Sequence, residues 1–186
     1  YHTIESLFQS VSLCDKLTLE QRERGFWLNE TAGIPAEENI ITRADRLLRR
    51  EFPNLGGVAV TLEKNIPTQA GLGGGSTDAA AYLRGMDRLY GLGLGRERLR
   101  VLAAELGADV PFCIDGGAAA AAGIGEKLTP VESHLPLWLV ITKPKAGCST
   151  PAMYRRIDER GESLRQRFTT QEAAEALEKG DLVGLC

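Results

Sequence analysis

PTQAGLGGGSTDAAAYL, residues 67–83, is the stretch that decides the fold. Gly71, Gly73, Gly74 and Gly75 stand directly ahead of Ser76, Thr77 and Asp78, and an alanine-rich helical pattern follows. Glycine opens backbone conformations closed to other residues and leaves room for a ligand to touch the main chain. The free N–H groups at the start of the helix point into the loop, and the aligned peptide dipoles add roughly half a positive charge there. Together these predict a cradle for phosphate. A flexible linker is the competing reading, and it is disfavoured because linkers do not run straight into a strong helix start.

The loop is not a Walker A loop, because no lysine follows its last glycine. Nor is it a dinucleotide-binding turn: it lacks a GxGxxG with an acidic ribose partner downstream and an evident parallel βαβ series. A phosphate site of this composition draws on backbone amides, the helix dipole and a metal. Ser76 and Thr77 are placed to offer hydroxyls to phosphate or Mg2+, and Thr77 reads equally well as an ordinary N-cap. A carboxylate is also needed to orient or deprotonate an acceptor hydroxyl. Asp109 in GADVPF is the candidate, on a tight turn ahead of an apolar run, although by pattern alone a helix-capping aspartate is the plainer reading.

Working outward, residues 3–13 read as a strand with Leu7, Val11 and Leu13 on one face. KLTLE and GFWLNE give two more, and the succession predicts an antiparallel meander. ENIITRADRLLRREF carries Ile40, Ile41, Ala44, Leu47 and Leu48 at helical spacing, its arginines mostly on the opposite, solvated face. VAVTLEK, with Val58, Val60 and Leu62 facing one way, is the strand that delivers the chain to the loop. The helix after the loop presents Ala79, Leu83, Met86 and Tyr90, with Gly91 as its stop. RERLRVLAAEL places Leu99, Leu102, Ala103 and Leu106 in register. GAAAAAGIGE is expected to be a strand packed close to another backbone, and LWLVITKP an apolar strand. CSTPAMYRRIDER starts a helix with Thr150 as N-cap and Pro151 at the first helical position, and TTQEAAEALEKG is another helix. Helix mixed with antiparallel strand indicates an α+β fold.

Composition narrows the function. The 186 residues, 43% hydrophobic, suffice for one domain or two small ones. A net charge of −3 speaks against non-specific nucleic-acid binding. No apolar run approaches the roughly 20 residues of a bilayer span, and no signal peptide is visible. Cys14, Cys113, Cys148 and Cys186 are scattered, so a reduced, cytoplasmic protein is expected rather than a disulfide framework or zinc site.

PTQAGLGGGSTDAAA, GADVPFCIDGGAAAAAGIGEKLTPV and KPKAGCSTPAMY, with the opening YHTIESLFQSVSLCDKLTL, resemble the GHMP kinase superfamily and, within it, the 4-diphosphocytidyl-2-C-methyl-D-erythritol kinase family. The resemblance runs through nearly the whole chain. It implies a GHMP-kinase fold, with a ribosomal-protein-S5-like N-terminal domain over residues 1–131 and the start of a ferredoxin-like C-terminal domain over 132–186. It also implies transfer of phosphate from ATP, with Mg2+, to the 2-hydroxyl of a cytidine diphosphate methylerythritol. By the same likeness, Pro67, Thr68, Gln69, Ala70, Gly71, Leu72, Gly73, Gly74, Gly75, Ser76 and Thr77 hold the ATP phosphates, and Asp109 is the catalytic base. Tyr1 and Tyr154 stack on cytosine, His2 reads its polar edge, and Thr150 lies near that pocket. The family's first strand, with a lysine and an asparagine, and its later glycine-rich segment have no counterpart in these residues. An incomplete fold, without turnover from residues 1–186 alone, is therefore expected. Another GHMP small-molecule kinase and a non-catalytic nucleotide binder are the alternative readings.

Overall fold

The structure, a computed structural model, describes residues 3–29, 33–133, 136–143, 147, 150–160 and 169–185. In chain order the elements are β1 (Ser6–Gln9), β2 (Lys16–Arg22), β3 (Phe26–Leu28), α1 (Ile40–Glu51), β4 (Gly57–Glu63), α2 (Gly74–Tyr90) and α3 (Gly95–Leu106). These are followed by α4 (Val110–Asp115), β5 (Ala118–Ala122), β6 (Lys127–Val131), α5 (Thr150–Arg160), α6 (Thr170–Lys179) and α7 (Leu182–Leu185). The chain forms two compact units, one of Ser12–Pro67 with Gly73–Asp115, the other of Tyr1–Val11, Thr68–Leu72 and Gly116–Cys186.

The first unit packs α1 to α4 on a three-stranded sheet of order β2-β4-β3. Val58, Val60 and Leu62 alternate along β4 as expected and are buried. They meet the α1 stripe of Ile41, Ala44, Leu47 and Leu48, and Ala79, Leu83 and Met86 of α2, in one core with Leu99, Leu102, Ala103 and Leu106 of α3. The side chain of Asn39 caps α1 by accepting the Ile41 N–H at 2.9 Å. Gly91, in the left-handed conformation, ends α2.

The meander expected from successive strands is not what forms. β2 runs antiparallel to β4 and β3 parallel to it, so the two flank β4 and do not pair with each other. Between them the chain crosses the start of β4. Val58 N–H donates to Gly25 O at 2.9 Å, and the Arg24 backbone lies where a side chain at Gly57 would stand. Glycine at this position lets the crossing happen at backbone contact. The short Glu23–Gly25 link is thus a bridge over a third strand that arrives later in sequence.

The second unit has a sheet of order β1-β5-β6, all antiparallel. The alanine run is its central strand, as its small residues predicted. Ala118 joins Val131, Leu177 of α6 and Leu7 in a small core. The first strand is shorter than the expected 3–13. Its ladder closes at Gln9–Ala118 because Gly116 and Gly117, both at positive φ, turn β5 away. Val11 and Leu13 are consequently exposed. LWLVITKP does not form a strand over its described residues 137–143: no neighbouring strand supplies a row of partners there, and Trp138 and Val140 are 95% and 96% exposed. The strand that does form is β6, with Pro130 tolerated on a sheet edge. α5 begins at Thr150 itself, one residue earlier than an N-cap at that position predicts. Thr169 caps α6 through a full capping box with Glu172. No helix among the described residues is long and apolar enough to cross a membrane.

Candidate functional site

β4 ends at Glu63, and Lys64–Ile66 lead into Pro67 and the glycine loop. Gly73 takes the N-cap position of α2 at φ +65°, and Gly71 sits at φ +69°. This is the left-handed region, which costs a side-chain-bearing residue roughly 1–2 kcal/mol. Space is open within 4 Å of where a Cβ would stand at either glycine, so it is backbone conformation rather than crowding that demands glycine here. Gln69 also adopts a positive φ, +52°, without being glycine. Pro67, Thr68 and Gln69 are exposed, and Ala70, Leu72, Gly74 and Ser76 are half-buried along the turn into the helix.

Thr77 is not the N-cap: it lies one turn into α2. Its hydroxyl donates back to Gly73 O at 3.0 Å, beside its own backbone N–H bond to the same carbonyl at 2.9 Å. With its proton committed there, the oxygen offers lone pairs rather than a donor, which suits a cation better than a phosphate oxygen. The same oxygen lies 3.6 Å from Cys113 Sγ on α4. Burial pushes the Cys113 thiol up, partly offset by this Thr77 contact. Cys113 N–H reaches Asp109 O at 3.4 Å, one turn back. Asp109 itself is exposed, immediately ahead of α4. The α2–α4 packing therefore sets Cys113, one turn beyond Asp109, against Thr77 near the start of α2, an arrangement spread over thirty-odd residues of sequence.

Beneath the loop is a charge cluster that sequence reading missed. Lys64 Nζ pairs with Asp15 and, at 2.8 Å, with Asp78 Oδ2. The two carboxylate side chains are only 3% and 7% exposed. Asp15 also accepts the N–H groups of Asn65 at 2.6 Å and Ile66 at 2.8 Å, tying the approach to the loop onto the chain before β2. Burial alone would raise the Asp15 carboxyl, but Lys64 and the two backbone donors outweigh it and hold Asp15 below the usual range. For Asp78 burial wins over Lys64, and its carboxyl is pushed up to about 6. Burial would lower Lys64, and the two aspartates more than reverse this. The available signal was a lysine just past a strand end, two residues before Ile66, with an acid just beyond the first turn of the next helix.

Of the other residues singled out, Tyr154 lies half-buried on α5 and Thr150 opens that helix, both in the second unit. Tyr1 and His2 lie outside the described residues, as do Cys148 and Cys186. Among the described residues no three His, Cys, Asp or Glu side chains converge as a metal cage.

The chain runs from strand to helix through left-handed glycines, and that helix packs against a short one preceded by an aspartate. The GHMP kinases N terminal domain profile matches residues 39–117. The fold is shared with homoserine kinase from Cytophaga hutchinsonii, at TM-score 0.60 and 18% identity, over 92% of this chain and 61% of that one. The chain has the fold of the GHMP kinases, and its residues 39–117 match their N-terminal domain. The sequence is 43% identical to 4-diphosphocytidyl-2-C-methyl-D-erythritol kinase of Alkaliphilus metalliredigens and 41% identical to that of Moorella thermoacetica. Both alignments cover all of this chain, and 64% and 66% of the respective relatives. A crystal structure of 4-(cytidine 5'-diphospho)-2C-methyl-D-erythritol kinase superposes with TM-score 0.76 at 35% identity, over 97% of this chain and 64% of that one. The chain thus spans a little under two thirds of the length of the relatives it matches.

Proposed function

We propose that these residues belong to an enzyme that phosphorylates the 2-hydroxyl of 4-diphosphocytidyl-2-C-methyl-D-erythritol at the expense of ATP, a step of non-mevalonate isoprenoid precursor synthesis, and that residues 1–186 alone do not turn over. The observation that carries the proposal is the Thr77–Cys113 contact, which packs α4, the helix that Asp109 precedes, against the N-terminal part of α2. The names of the relatives supply the substrate. In this reading residues 1–131 form the nucleotide-binding domain and 132–186 begin the second.

Residues Pro67 through Thr77 hold the triphosphate, with the backbone N–H groups at the head of α2 facing the charge that builds on the transferred group. Phosphoryl transfer asks for positioning and charge stabilisation more than covalent chemistry. Asp109, exposed at the start of α4, accepts the proton of the attacking hydroxyl. The hydroxyl oxygens of Ser76 and Thr77 fit Mg2+ carried in on the nucleotide, since that ion keeps few protein ligands; when bound it neutralises charge shared between the phosphates. Tyr1 and Tyr154 stack on cytosine, a contact worth on the order of 1–3 kcal/mol per base, with His2 at its polar edge and Thr150 nearby.

Steady-state kinetics on the whole enzyme, with residues 1–186 alone as the inactive comparison, test this. Asp109→Asn lowers kcat by about 10²–10⁴-fold, the usual contribution of general-base catalysis, while calorimetry finds the affinity for an ATP analogue unchanged. Undiminished turnover in the variant, or phosphorylation of homoserine in preference to the cytidyl substrate, overturns the proposal.

A further inference from the structure

On the face of α1 turned towards α3, Arg43, Arg46 and Arg50 line a cavity of about 310 Å³ with Leu47, Glu105 and Leu106. Their spacing of three and four residues puts all three guanidinium groups on one side of the helix, along roughly 10 Å of its axis. All three residues are exposed, whereas the Leu47 and Leu106 floor is buried. Arg49, next in sequence, is committed elsewhere: it pairs with Asp45 at 2.8 Å and donates to the carbonyls of Leu55, Gly25 and Gly56.

The three arginines of the cavity differ in their engagements. Arg43 Nη2 donates to Leu106 O at 3.1 Å, neutralising the carbonyl end of α3. Arg50 Nη2 pairs with Glu105 Oε2 at 2.6 Å, both side chains being about half exposed. Arg46 has no partner among the described residues. The lining therefore carries three positive charges against the single negative charge of Glu105. Exposed salt bridges of the Arg50–Glu105 kind contribute little to stability, so one guanidinium is readily given up to a stronger anion.

We propose that this cavity is a binding site for a small, multiply charged oxyanion of the diphosphate class, held by Arg46 and Arg50 with Arg43 at its edge, and that Glu105 occupies the anion's place when the site is empty. Planar guanidinium forks match the paired oxygens of phosphate groups. The volume lies at the lower end of ligand-pocket sizes, which suits a compact ligand. The site belongs to the α1–α3 groove and does not rest on the kinase reading.

Inorganic pyrophosphate is the probe, titrated into the protein at constant ionic strength while NMR follows the arginine Nε–Hε signals and the amides of Gly71–Gly75. The expected result is saturable shifts of Arg46 and Arg50 with one Kd, below about 1 mM. Arg46→Gln weakens that Kd roughly tenfold, the size of one charge-assisted hydrogen bond. Glu105→Gln tightens it several-fold by releasing Arg50. Both replacements are at exposed positions, and an unchanged circular dichroism melt verifies folding. Shifts confined to the glycine-loop amides, an equal response to chloride, or an affinity indifferent to Glu105→Gln overturns the proposal.

Discussion

Asp78 is held in two opposing environments. Lys64 lies 2.8 Å from it, yet burial, and the shared claim of Asp15 on the same ammonium, leave its carboxyl at about 6. In an unfolded chain an aspartate titrates near 3.9. As pH falls from 7 the folded state therefore takes up this proton first, and Asp78 adds stability progressively between about pH 6 and pH 4. Asp15 has the opposite sign: held low in the fold, it contributes stability above its unfolded value that is lost only under more acidic conditions. Asp78→Asn removes the first dependence and leaves Lys64 its Asp15 partner. The difference in unfolding free energy between wild type and variant is expected to change by on the order of 1–3 kcal/mol from pH 7.5 to pH 5, with the wild type gaining on acidification. Denaturant titrations at a series of pH values check this, and parallel profiles for the two proteins would contradict it.

Gly73 acts at the same scale through conformation alone. Gly73→Ala meets open space but not an acceptable φ. The cost to the fold is about 1–2 kcal/mol, and the left-handed turn at the proposed cradle is disturbed. Nucleotide affinity by calorimetry should then drop well beyond what the stability change explains; an unchanged affinity would remove this loop from the phosphate site.

At the level of elements, α1 and α2 are joined by one buried polar pair. The Tyr82 hydroxyl donates to Asp45 Oδ1 at 2.7 Å, and Arg49 takes the other oxygen at 2.8 Å. Tyr82 is fully buried and stands edge-on to Phe26 of β3, with ring centroids 6.2 Å apart. Burial and the Asp45 charge both raise the Tyr82 hydroxyl far above its ordinary range, so it stays a donor at any working pH. Tyr82→Phe keeps the ring packing and strips one partner from a buried carboxylate, which costs roughly 1–3 kcal/mol. Equilibrium unfolding of the variant should show that loss, while Arg49→Lys, which cannot reach the same set of carbonyls, should show a further one. The α1 arginines read as a solvated face, and this holds for exposure but not for role. Arg49 knits the β3–β4 crossing through the carbonyls of Gly25 and Gly56, and three others share a cavity with α3.

Across the whole molecule, what was legible was periodicity and punctuation. The buried stripes of α1, α2 and α3 and the alternation of β4 lie where apolar spacing put them, because a core must take up whichever face is apolar. The glycine loop, too, declared itself locally, since the left-handed turn at Gly73 and the helix start behind it depend on adjacent residues. The partnership of strands did not, because strand pairing is a choice among distant segments: LWLVITKP has the composition of a strand without forming a ladder over its described residues, while the plainer KLTPV became β6. The sequence by itself determined the likeness to the GHMP kinases, the glycine loop at a helix start and, through that likeness, Asp109 as the candidate acid. Only the tertiary structure decided that β2 and β3 flank β4, that Lys64 is clamped between Asp15 and Asp78, and that Thr77 meets Cys113. Those contacts join residues separated by as many as 49 positions, and no local rule of spacing encodes which buried charges a folded chain will bring together.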